Sequence, residues 1–140
     1  RRSFNGAMGI GAPQQQATAS FETVAAKNGT IALPVSALKG ATASHFLYSA
    51  GGKDIRFFAL RAADGTVRVA LDACQACYRA KRGYRQQGDT MVCNNCGIAF
   101  PSTDIGVIRG GCNPIPVDHT DDGTLFIVKA KDLEDGAKYF

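Results

Sequence analysis

The sequence has no tryptophan and only two histidines. Histidine-centred catalysis finds little to work with. No nucleophile–His–Asp arrangement is visible, and Asp118 and His119 are adjacent, which puts them on opposite faces of a strand. A hydrolase is therefore disfavoured. No glycine loop of the phosphate-cradling kind occurs. No apolar run approaches the ~18 residues of a membrane span, so the sequence predicts no such span in this chain. The net charge is +4, without a basic block of the size that nucleic-acid binding demands. Coiled-coil and collagen-like chains are excluded on composition. What remains is 45% hydrophobic and 20% charged, a globular rather than a disordered balance. At 140 residues it has the size of one ordinary domain, long enough to bury a core without staples.

Residues 1–20 read as an extended arm, with Pro13, three glycines and the run Gln14-Gln15-Gln16. Two readings of the arm stay open: a linker or frayed terminus, and a segment that packs on a neighbouring copy and so drives self-assembly. The first residue is Arg1 and not Met. Arg1-Arg2-Ser3-Phe4 is similar to a twin-arginine export core, but the residues up to Ser20 lack the compact apolar stretch of a signal peptide. The expectation is a chain that has lost a leader.

From residue 21 to 140 a single β domain is expected. Thr30–Leu33, His45–Tyr48, Asp54–Leu60, Val67–Leu71, Ile98–Phe100, Val107–Ile108, Ile115–Val117 and Thr124–Val128 carry strand signals. Gly51-Gly52, Asp64-Gly65 and Asp122-Gly123 are turns between them. Pro34–Leu38 suits one short helical turn, and Ala130–Tyr139 a short helix interrupted by Gly136. Cys74–Cys96 reads as loop. The fold class is all-β: a small antiparallel sandwich or partly open barrel built from a meander of hairpins.

The five cysteines are spaced Cys74-x2-Cys77-x15-Cys93-x2-Cys96-x15-Cys112. An odd number cannot form a fully paired disulfide framework within one chain. Two C-x2-C pairs at this separation are a strong metal signal, because each turn points two sulfurs to one side of a tight loop. Two such loops supply a tetrahedral thiolate set. Zinc, copper and iron–sulfur centres all accept sulfur donors. The competing reading is two C-x2-C disulfides or thiol redox chemistry, and neither pair lies at the strand-to-helix junction a thioredoxin motif needs. Gly97 after Cys96 lets the backbone fold back toward sulfur. Cys112, in Gly110-Gly111-Cys112-Asn113-Pro114, is either a further ligand or a free thiol beside the site. His45, His119 and Met91 are weaker ligand candidates. Arg79, Lys81, Arg82 and Arg85 form either a solvated basic loop or a counter-charge to thiolates that could also receive an acidic redox partner. Asp72 is either a cap for nearby N–H groups or a surface carboxylate.

The stretch Phe57–Val117 resembles the C-terminal domain of the FtrD-like membrane iron–sulfur protein family. The matching elements include Asp72-Ala73-Cys74-x2-Cys77-Tyr78, Lys81-x-Gly83-Tyr84, Gly88-Asp89, Met91-Val92-Cys93-Asn94-Asn95-Cys96-Gly97 and Gly110-Gly111-Cys112-Asn113-Pro114. The resemblance implies an iron–sulfur cluster on Cys74, Cys77, Cys93 and Cys96, with Cys112 as a further metal ligand, and a link to bacterial ferrous-iron uptake. A more distant resemblance, from Cys93 to Leu125, is to the second half of Rieske-type domains, with cysteines standing where that family has histidines. The combined expectation is a periplasmic or extracellular electron carrier, not an enzyme. Its partners would be a redox protein or metal-uptake components. A zinc or copper thiolate module and a subunit of a homopolymeric filament are the alternatives.

Overall fold

The computed structural model describes residues 21–38 and 42–140. The expectations placed on residues 1–20, the arm and its self-assembly, lie outside the described residues. Ten strands form three small sheets. The central sheet has the order β1 (Phe21–Val24), β3 (Ser44–Ala50), β4 (Lys53–Arg61), β5 (Val67–Leu71). A second sheet has β10 (Leu125–Lys129) between β2 (Thr30–Pro34) and β9 (His119–Asp121). The third has β7 (Thr90–Cys93) between β6 (Tyr84–Gln87) and β8 (Ala99–Pro101). Among the described residues no sheet closes into a barrel, and helix α1 (Ala130–Asp135) follows β10 directly. Among the described residues, no helix is long and apolar enough to cross a membrane.

The reason for this layering is written in β4. Its run Phe57-Phe58-Ala59-Leu60 is apolar at every position, and all four residues are buried. Successive side chains of a strand point to opposite faces, so a continuous apolar run requires cover on both. Phe57 and Ala59 join one core with Ile31, Phe46, Phe126, Val128 and Leu133. Phe58 and Leu60 join a second core with Tyr84, Met91, Phe100 and Ile105. The first core is closed by the β2–β10–β9 sheet and α1, the second by the β6–β7–β8 sheet. Cys74 and Cys93 belong to the second core, so the sulfur site is anchored to the centre of the molecule.

The antiparallel meander of β3, β4 and β5 forms as expected. A strand without a sequence signal, β1, joins it parallel to β3, with Phe21 opposite His45. Three local expectations need correction. Val107–Ile108 is no strand. It is an exposed turn closed by Asp104, whose carbonyl accepts from both amides at 3.2 and 3.0 Å. Two apolar residues between Gly106 and Gly110 are too short to hold a ladder. Cys74–Cys96 is not all loop either. Gly88, at φ +61°, turns β6 into β7 with Tyr84 opposite Cys93. The Gly88-Asp89 dipeptide was the available signal, masked by the polar residues Arg85–Gln87 that precede it. Ile115–Val117 forms a single bridge, Pro116 to Ala70, because proline cannot donate to a ladder.

Candidate metal centre

Three loops meet at one end of the central sheet. The first leaves β5 at Asp72, the second leaves β7 at Cys93, and the third spans Gly110–Pro114. Backbone bonds dock the third loop onto the first: the Leu71 amide donates to Ile115 at 2.8 Å, Ile115 to Ala73 at 3.1 Å, and Ala76 to Gly111 at 3.2 Å. The second loop is tied through Asn94, whose amide donates to the Gly83 carbonyl at 2.9 Å and whose side chain donates to Arg82 at 2.9 Å.

Both C-x2-C segments close in the same way. The Tyr78 amide donates to the Cys74 carbonyl at 3.1 Å, and the Gly97 amide to the Cys93 carbonyl at 2.8 Å. Gly97 has φ +79°, a conformation that glycine adopts without a Cβ penalty. In the first segment the Cys77 amide also donates to the Cys74 sulfur, at 3.0 Å.

The result is a group of four sulfurs, Cys74, Cys77, Cys93 and Cys112, all within 4.8 Å of one another. Four sulfurs held 2.3 Å from one tetrahedral ion would stand about 3.8 Å apart, so the donor set suits a thiolate-bound metal. Cys96 stands at the exposed rim beside the group, its Sγ 3.0 Å from that of Cys112. The Cys77 and Cys112 sulfurs are 3.6 Å apart. Thus the structure brings Cys74, Cys77 and Cys93 together as the spacing predicts, and completes the group with Cys112. None of the other candidates joins it. His119 Nε2 lies 2.9 Å from the Val67 carbonyl oxygen, and Met91 is core. His45 is packed between Phe21 and Phe58, its Nε2 without a hydrogen-bond partner among the described residues.

The thiols are not equivalent. Hydrogen bonds from Asn95 and Cys112 draw Cys77 down to about 7. Burial pushes Cys93 up to about 12, and the neighbouring Cys96 thiol, with burial, raises Cys112. A bound cation would overcome both rises, since metal binding displaces thiol protons. Of the basic loop, Arg85 donates to the Asn94 side chain at 2.9 Å and so supports the second loop; Arg79, Lys81 and Arg82 are exposed.

Three supporting residues were illegible or undecided in the sequence. Asp72 is buried, and its Oδ1 accepts the Tyr84 amide at 2.9 Å, so it caps a loop and is no surface carboxylate. Tyr84 packs on Phe58 and Phe100 and donates its hydroxyl to the Cys112 carbonyl, bracing the third loop. Gly83 makes room for both: a Cβ there would sit 2.4 Å from Asp72 Oδ2, at φ +66°. Gly83→Ala is therefore expected to destabilise the chain by about 1–2 kcal/mol and to speed metal release. Denaturant unfolding and chelator kinetics measure the two; an unchanged midpoint would remove Gly83 from this role.

Comparison with curated proteins and with solved structures finds no match. A family described as "Membrane iron-sulfur containing protein FtrD-like" matches residues 38–140, which span all three sulfur-bearing loops. With its cysteines gathered as a metal-binding protein of that kind requires, the chain belongs to the FtrD-like family of iron–sulfur proteins.

Proposed function

We propose that this chain is an exported electron carrier whose iron centre is held by Cys74, Cys77, Cys93 and Cys112. The observation that carries the reading is the convergence of four sulfurs from three loops, two of them buried and two half-buried. Bound there, an iron–thiolate centre supplies a one-electron couple. The chain's own residues do the rest. Cys74 and Cys93 fix the centre to the second core, and the Cys77 amide orients the Cys74 sulfur by a hydrogen bond. The half-buried side, at Cys77 and Cys112, leaves a short path to a partner. A groove of about 1420 Å³ runs from Cys74, Cys77 and Cys93 past Arg56, Arg82 and Arg85 to His45 and Phe21. Its cations favour an acidic redox partner over a basic one. A link to iron uptake and a periplasmic or extracellular placement are part of the same proposal.

One observation favours a second reading. The 4.8 Å limit is close to the spacing around a single ion, which a zinc or copper thiolate site shares. Anaerobic purification separates the two. The electron carrier is expected to be coloured, to contain iron and to bleach on reduction. A colourless protein with stoichiometric zinc, or a copper-loaded one, would overturn the redox assignment.

A further inference from the structure

Five sulfurs meet where a tetrahedral site uses four. The surplus one, Cys96, is the exposed member, and it touches the ligand candidate that closes the group. We propose that Cys96 and Cys112 form a reversible disulfide that withdraws Cys112 from the metal and so makes metal retention redox-dependent. This rests on the four-sulfur reading above.

Distance and exposure favour this pair. The Cys96 and Cys112 sulfurs are 3.0 Å apart, against 3.6 Å for Cys77 and Cys112. Cys74 and Cys93 are buried and closed to an external oxidant, whereas Cys96 is exposed. The Cys112 backbone is held by Tyr84 and Ala76, and the glycines beside both cysteines leave room for the small side-chain adjustment the bond needs. Cys96 is followed by Gly97 at φ +79°, and Cys112 is preceded by Gly110 and Gly111 at φ +104° and +57°. A Cβ at any of these three glycines would meet nothing within 4 Å, so the turns are open and not packed.

The chemistry is ordinary thiol–disulfide exchange with a small disulfide such as oxidised glutathione. The Cys96 thiol, as its thiolate, attacks one sulfur of the oxidant. A mixed disulfide forms, one glutathione thiol leaves, and the Cys96 proton goes to solvent or to that thiol. The Cys112 sulfur then attacks Cys96, the Cys96–Cys112 bond forms, and the second glutathione leaves as a thiolate that takes up the Cys112 proton, or one from solvent where Cys112 was already deprotonated. Two protein thiols are oxidised, and one disulfide is reduced to two thiols. Cys112 then has no thiolate to offer, and three ligands remain.

The test uses the full chain as purified anaerobically and, in parallel, the chain loaded with zinc. Each is exposed to oxidised glutathione, then alkylated, digested and mapped. Trypsin cuts after Arg85, Arg109 and Lys129, so the cross-link joins the Cys93/Cys96 peptide to the Cys112 peptide. Fragmentation then distinguishes Cys93 from Cys96. The expected results are a loss of two mass units, a Cys96–Cys112 link, release of metal in step with it, and recovery of binding after reduction. Cys96→Ser should show neither the link nor the release. A link at another pair, a stable glutathione adduct on Cys96, or metal retained alongside the link would each overturn the proposal. The mapping decides even if the chain holds no metal in its reduced form; that result would sink the four-sulfur reading instead.

Discussion

Cys112→Ser is expected to lose its metal, while Cys96→Ser keeps it. Cys112 lies within 4.8 Å of the sulfurs of Cys74, Cys77 and Cys93, and its loop is held in place by the Tyr84 hydroxyl and by the Ala76 amide on Gly111. A serine hydroxyl there offers a hard, protonated oxygen in place of a soft thiolate. Losing groups that merely orient ligands costs 10–100-fold in affinity, so losing a ligand should cost at least about 100-fold. Cys96 is exposed and is not among the four sulfurs that lie within 4.8 Å of one another, so its replacement should leave affinity unchanged within error. Competition with a chelator of known affinity measures both variants. The reverse outcome would assign the fourth position to Cys96, as the symmetry of two C-x2-C pairs suggests. Cys93→Ser should resemble Cys112→Ser in affinity and also lower stability, because that side chain is part of the second core.

Asp72 is expected to make stability depend on pH in an unusual direction. Burial raises its carboxyl from the ordinary 3.8 to about 6, against the opposing pull of the Tyr84 amide and the Arg56 charge. The folded chain therefore binds this proton more tightly than the unfolded one. Its favourable contribution is complete below about pH 4 and is lost as pH rises through 6. At neutral pH the carboxylate is charged and buried, and it remains because it caps the Tyr84 amide. A shift of this size corresponds to about 2–3 kcal/mol. Asp72→Asn keeps an oxygen for that amide and does not titrate. The stability of the parent relative to Asp72→Asn should thus fall by about that amount between pH 4 and 7. Taking the difference cancels the other titrating groups, the thiols included. A flat difference, measured by denaturant unfolding across that range, would show that Asp72 ionises normally.

Much of the strand layout was readable because it rests on local chemistry. The Asp64-Gly65 hairpin, the Gly51-Gly52 turn and the apolar run Phe57–Leu60 announce β4 and β5 without reference to anything distant. The parallel pairing of β1 with β3 was not readable. Phe21–Val24 carries no signal of direction, and its partner is set by packing around His45. The β6–β7 hairpin was hidden for a related reason. Arg85–Gln87 is polar, and burial is confined to Tyr84 on β6 and to Met91, Val92 and Cys93 on β7.

The metal signal itself was a matter of spacing, and spacing is a property of the chain. Two residues between cysteines force two sulfurs to one side of a turn, so a sulfur-rich site followed from the sequence alone. Membership of the four-sulfur group did not. Whether Cys96 or Cys112 completes it depends on how Gly110–Pro114 docks beside Leu71–Ala73, a contact between segments some forty residues apart. Asp72, Gly83 and Tyr84 acquire their roles in the same way, through burial that no local pattern encodes. Sequence determined which atoms can bind a metal, because donor chemistry is local. Only the tertiary structure decided which of them meet, because that depends on two cores closing on opposite faces of one strand.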